Sequence, residues 1–191
     1  IQRCMNNPTI DVDAVLDDAQ SEVYARLRVR EMRTEATLTT AQGDLYVALP
    51  SGFLDPISVK DRFQVDIRLD DMDALLGFRA KDADGNWIQA EPNRYAIWDE
   101  RVQFDCAMNA ALSFSMLYFK QPTALSGSNE TNFLTTRYPH VLRAAIRKHA
   151  AVFLKKDAEE QRGEAQLARA LETVGVQDDL SYRGYAPSER G

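Results

Sequence analysis

Four carboxylates crowd one short stretch, Asp66, Asp70, Asp71 and Asp73. Paired carboxylates can do general acid–base work when one is held protonated beside an ionised partner. Strand alternation separates some of this set, and charged loop ends are ordinarily just solvated, so catalysis is not read here. Asp82-Ala83-Asp84-Gly85-Asn86 resembles half of a calcium loop. It lacks the third early carboxylate and the bidentate Glu that fill a calcium shell, and it reads as a turn. The histidines are His140 and His149. Nine positions on a helix put them on opposite faces, not at the three- or four-residue spacing of a helical metal pair. His140 is expected at the surface, and His149 as a hydrogen-bonded core or interface residue. Cys4 and Cys106 lack partners at metal spacing and read as reduced thiols. No serine sits in a nucleophile elbow, and no glycine-rich loop could cradle phosphate. The expectation is no catalytic residue, no metal and no cofactor.

The remaining chemistry is cationic and aromatic. Arg137, Arg143, Arg147, Lys148, Lys155 and Lys156 form a basic run, within which Arg143 and Arg147 share a helical face. The run admits three readings: a nucleic-acid surface, a solvated face balanced by Glu159 and Glu160, and an interface with an acidic patch on a partner or a neighbouring subunit. The last is preferred, because guanidinium groups suit such pairing. The C-terminal Tyr182, Arg183, Tyr185 and Pro187 combine residue types that dominate binding hot spots. A terminus without fixed order is one reading and a binding arm the other.

The elements that must carry these residues follow from periodicity. Asp11 is the expected N-cap of a helix ending near Glu31, with Val12, Val15, Leu16, Ala19, Val23 and Leu27 on one face. From Thr34 the rhythm shortens to two. Strands are predicted at 35–40, 45–49, 57–59, 63–69, 87–88, 95–98, 102–106 and 112–119, the last apolar enough to be covered on both faces. Asp70 or Asp71 should cap a single helical turn through Met72, Leu75 and Leu76. After a polar linker at 126–132, Pro139 opens a helix with Val141, Leu142, Ala145, Ile146, His149, Val152 and Phe153 facing inward. A second helix, 157–174, turns Ala158, Ala165, Ala168, Leu171 and Val174 inward and ends at Gly175 in a left-handed cap. The expected class is α+β. A helical bundle is built from 1–33 and 123–175, an antiparallel β sandwich or barrel is inserted at 34–122, and an extended arm occupies 176–191. An aromatic core is expected from Phe53, Phe63, Trp87, Tyr95, Trp98, Phe104, Phe114 and Tyr118.

The chain has 191 residues and a net charge of -6. That balance argues against a general nucleic-acid or membrane-surface binder. No apolar run approaches a membrane span, and no signal-peptide pattern is read. The chain opens at Ile1 rather than Met, which leaves room for upstream residues.

Four stretches carry a resemblance. They are the helix Asp11–Met32, the segment Leu45-Tyr46-Val47-Ala48-Leu49-Pro50-Ser51-Gly52-Phe53, the strands Tyr95–Phe119, and Ala124–Leu154. The last has Leu125-Ser126, Asn129-Glu130-Thr131-Asn132, Leu134 and Tyr138-Pro139 in sequence. In order and separation these resemble the head–tail adaptor (connector) proteins of tailed bacteriophages. The chain departs from that family at Arg28-Val29-Arg30, where a tryptophan is common, and at Asp105–Asn109, where a Pro-rich hairpin is common. The resemblance implies a structural virion protein without enzymatic activity, at the head–tail interface and assembled in the host bacterial cytoplasm. It implies a homo-oligomeric ring, commonly dodecameric, docked on the portal protein and followed by a tail or nozzle protein, with DNA passing its bore ungripped and the C-terminal arm gaining order on assembly. A rival reading is a carbohydrate- or peptide-binding β module with helical flanks, in which Trp87, Tyr95 and Trp98 line a groove. A metal-dependent hydrolase using the Asp66–Asp73 carboxylates is a third.

Overall fold

The structure is a computed structural model that describes residues 10–183, with side chains described through Asp178. Asp11 opens α1, Val12–Arg26, by accepting the Ala14 N–H at 3.1 Å, as its residue type predicts. α1 buries Val15, Leu16, Ala19 and Val23, together with Gln20 and Tyr24. It stops five residues short of Glu31. The Arg28 guanidinium donates to the carbonyls of Tyr24 and Leu27, at 2.8 and 2.7 Å, and so satisfies the helix end. Leu27 is extended, Leu27 and Val29 are both buried, and a single 3-10 turn, Arg30–Met32, leads on.

The described chain divides into two compact units. One comprises the residues up to Met32 and from Gln121 onward, and the other Arg33–Lys120. In the first, α1 is followed by a short α3, Phe133–Thr136, which lies between the polar linker and Pro139 where no element was expected, then α4, Pro139–Phe153, and α5, Asp157–Arg183. Pro139 occupies the first turn of α4, as expected. α4 packs against both α1 and α5. Its buried residues are Val141, Leu142, Ala144, Ala145, Ile146 and Ala151. Val152 and Phe153, expected inside, are 46% and 48% exposed, because the chain turns back immediately afterwards with Lys155 in a left-handed conformation (φ 53°).

The inward face of α5 differs from the prediction. Ala158, Ala165 and Ala168 are exposed. The buried positions are Gly163, Leu167 and Val174, with Leu171 half-buried. Gly163 sets this register. A Cβ there would stand 2.8 Å from the Lys148 Cα and 3.0 Å from its N and Cβ, so glycine lets the α4 and α5 backbones touch. Gly175 is not a left-handed cap. It sits within α5, which continues to Arg183, so residues 176–183 of the expected arm are helical, and the rest of that expectation lies outside the described residues.

The second unit holds β1 (Arg33–Thr40), β2 (Tyr46–Ala48), β3 (Phe53–Lys60), β4 (Asp66–Leu69), β5 (Gln89–Ala90), β6 (Arg94–Trp98), β7 (Arg101–Phe104), β8 (Ala107–Met108) and β9 (Leu112–Lys120), with α2 at Met72–Phe78. Seven strands form one sheet in the order β1-β9-β3-β4-β6-β7-β2. Its edge strands β1 and β2 come side by side, so the sheet is nearly closed. The antiparallel expectation needs correction at two places. β4 and β6 run parallel, because α2 lies in the crossover between them, and β5 and β8 form a separate parallel pair. The predicted strand at 63–69 begins at Asp66, and that at 87–88 moves to Gln89–Ala90.

β9 alternates strictly, with Leu112, Phe114, Met116 and Tyr118 inward. They join Leu38, Val59, Ile67, Tyr95, Val102, Phe104 and Met108 in the core. Of the expected aromatic core, Tyr95, Phe104, Phe114 and Tyr118 are buried, and Phe53 packs at its margin. Phe63 (66% exposed), Trp98 (59%) and Trp87 (38%) are not core residues. Phe63 lies in the β3–β4 turn. Trp98 ends β6 at a two-residue hairpin whose Asp99 and Glu100 are both left-handed (φ 52° and 55°), the type I′ arrangement that matches strand twist.

Candidate assembly interface

The acidic stretch first considered for catalysis is occupied structurally. Asp71 caps α2 through the Ala74 N–H at 2.8 Å. Asp70 is gripped by Arg94 at 2.7 Å and Arg68 at 2.9 Å, and the Arg94 hydrogen bond holds its carboxyl below the usual range. Asp82 spends Oδ1 on the N–H groups of Asp84 and Asn86, both at 2.9 Å, closing a plain turn. Among the described residues no group of three or more His, Cys, Asp or Glu could hold a metal ion. Cys106 is a free thiol, and burial pushes it up to about 11. Cys4 lies outside the described residues.

The best-built polar site joins α1, α4 and α5. Glu22 Oε1 receives Lys148 Nζ at 2.6 Å and Arg26 Nη1 at 3.0 Å. Its Oε2 lies 2.8 Å from His149 Nε2, which must carry the proton, since an ionised carboxylate only accepts. Glu164 closes the circuit, reaching Lys148 at 2.6 Å and Arg26 at 3.0 Å. Partial burial alone would push the Glu22 carboxyl up. The hydrogen bonds from Lys148, His149 and Arg26 outweigh it and leave the group below its ordinary value. The Lys148 ammonium, opposed by the same desolvation, is held above its ordinary value by Glu164 and Glu22. His149 is thus hydrogen-bonded, as its place on the helix suggested, and His140 is exposed.

α1 also fastens the segment that follows β9. The buried Gln20 amide clasps the backbone of Leu125 in both directions, receiving its N–H at 2.7 Å and donating to its carbonyl at 3.2 Å. Asn132 donates to the Tyr24 hydroxyl at 2.8 Å while its Oδ1 caps α3 in a capping box with Thr135. Asn129 donates to the Ala124 carbonyl at 2.7 Å and turns the chain with Ser126. Leu125, Ser126, Asn129 and Asn132 are therefore the residues that shape this segment, which composition alone presented as a polar linker. Gln20 and Tyr24 were missed as functional positions, although they fall on the same helical stripe as Leu16, Val23 and Leu27.

The basic run separates into two groups. Arg137 pairs with Glu31, Lys148 with Glu22 and Glu164, and Lys156 approaches Glu159 at 3.8 Å. Arg143 and Arg147 are exposed on the outer face of α4, and no ion pair engages either among the described residues. Tyr182 and Arg183 fall in the last turn of α5 by backbone, and Tyr185 and Pro187 lie outside the described residues. In the β unit, Trp98 and Arg101 are paired across the hairpin, and the Arg101 guanidinium sits 4.5 Å from the exposed Tyr46 ring, giving an outward aromatic–cation row.

No helix among the described residues is long and apolar enough to cross a membrane. A comparison with curated proteins finds no match. The family model described as SU10 adaptor protein matches residues 1–190, nearly the whole chain, and the protein accordingly belongs to that family of phage adaptor proteins.

Proposed function

We propose that this protein is a head-to-tail adaptor that works as a homo-oligomeric ring between the portal and the next tail component. The observation that carries the reading is the family match over residues 1–190. In this reading α1, α4 and α5 form a helical bundle that supplies the ring wall, braced by the Glu22–Arg26–Lys148–His149–Glu164 network. The β unit offers contact surface through Tyr46, Arg101 and Trp98. Residues beyond Arg183 lock onto a neighbour or onto the portal. DNA passes the bore without being gripped, which suits a chain of net charge -6 that should not neutralise phosphates.

Electron microscopy of the purified protein, alone and mixed with its portal, tests the proposal. The expected result is a ring stacked coaxially under the portal. A protein that joins no ring in either sample would overturn it.

A further inference from the structure

Helices α4 and α5 carry opposite charge. α4 contains Arg143, Arg147 and Lys148 and no carboxylate, whereas α5 contains seven carboxylates against three arginines. Only part of this difference is settled inside the chain, where Lys148 and Arg26 take up Glu164. Arg143 and Arg147 lie one turn apart on α4, both exposed. On α5, Glu160 and Glu172 have no ion-pair partner among the described residues, and Glu172 is exposed. Glu160 lines an open groove with Gln161, Glu164, Ala165 and Ala168, and Lys148 closes its inner side. The short side chains of Ala165 and Ala168 leave room there for a second helix. Arg162 and Arg169 are exposed on α5 and do not line this groove.

We infer that α4 of one copy seats in this groove on α5 of the next, with Arg143 and Arg147 meeting Glu160 and Glu172. The inference deepens the proposed ring and rests on that reading. A second copy is the occupant that the charges favour, because each chain presents both halves of the match on different helices. The contact is therefore head-to-tail, and repetition of such a contact can close a ring. Guanidinium–carboxylate pairs across it would fix the register between copies more than they would add raw affinity.

The test uses two full-length variants and sedimentation velocity over a range of concentrations at low and high salt. One is Arg143→Glu with Arg147→Glu, and the other is Glu160→Arg with Glu172→Arg. The exchanged groups have no ion-pair partner among the described residues, so both variants should keep the wild-type circular dichroism spectrum and melting temperature. Each alone should need at least tenfold more protein than wild type to assemble, since the contact would join like charges. Mixed one to one, they should assemble as wild type does, because every contact then joins Glu to Arg. Wild type should also need more protein at high salt. If wild type assembles and both variants do so equally well, the α4–α5 contact is wrong while the ring reading survives. If the variants self-assemble normally and lose only portal binding, the occupant is the portal and the inference fails. If wild type stays monomeric at every concentration and also with portal present, the ring reading itself falls, and the inference with it.

Discussion

Gly163→Ala should destabilise the protein, although alanine is the better helix former. In an isolated helix the exchange would add about 1 kcal/mol. Here the new methyl would lie 2.8 Å from the Lys148 Cα and 3.0 Å from its N and Cβ, against an ordinary carbon–carbon contact of about 3.5–4.0 Å. Backbone atoms cannot rotate aside, so α4 and α5 must part by several tenths of an ångström. That movement strains the 2.6 Å Lys148–Glu164 pair and loosens the fully buried Leu167 and Val174. Overpacking of this kind costs about 1–3 kcal/mol, so after the propensity gain the net loss should reach about 2 kcal/mol at most, and the exchange should never stabilise. For a chain of this size that is a fall of up to roughly 8 °C in Tm, read by circular dichroism at 222 nm. Gly175→Ala is the matched control. It lies in the same helix, is exposed, and would bring its methyl within 4 Å of nothing, so it should raise Tm. Equal effects of the two substitutions, or a stabilised Gly163→Ala, would refute the close-approach argument.

Gln20→Leu should strand the Leu125 N–H and carbonyl, which are held at 2.7 and 3.2 Å, and lower the urea-unfolding free energy by about 2–4 kcal/mol. Glu22 and Glu164 are both held below the ordinary 4.5 of a glutamate, so their contribution is present above that pH and is lost as pH falls through their lowered folded values. Glu22→Gln should accordingly flatten the acid limb of a Tm-against-pH curve below about pH 4.5. Lys148 is held above 10.5, so its contribution is present below that pH and should disappear only as pH rises beyond it, which an alkaline titration of Tm would read. Glu100→Gly should stabilise the β unit by about 0.5–1 kcal/mol, measured by chemical denaturation, because its φ of 55° suits glycine at a type I′ turn.

Periodicity in the sequence located α1, α4 and most strands, because their apolar residues recur at the spacing of the element and are large enough to mark its buried side. Asp11, Asp71 and Pro139 announce helix starts through local chemistry, and all three act as their types suggest. The inward face of α5 was illegible for the opposite reason. Its decisive residue is a glycine, which has no hydropathy to place in a pattern, and the alanines that suggested a stripe carry too little surface to orient a helix. The end of α1 was misplaced because Arg28 terminates it by reaching back to two carbonyls, an event that periodicity does not register. The parallel β4–β6 pair and the outward Trp98 depend on the path of the α2 crossover and on a two-residue turn, both tertiary outcomes. Arg143 and Arg147 could be paired on one face by counting. That Lys148 would be consumed internally while they remain available required coordinates.

The chain enters the β unit at Arg33 and leaves it at Lys120, and these ends are neighbours, since Arg33 is paired with Phe119 across β1 and β9. Between them run 88 residues (120 − 33 + 1). As a flexible loop that span would oppose the meeting of α1 and α4 by about 4 kcal/mol of closure entropy. Once β1 and β9 have zipped together, almost all of that penalty has already been met inside the sheet. The two helices can then find one another as though consecutive in the chain, so formation of the strand pair should govern how fast the distant termini dock.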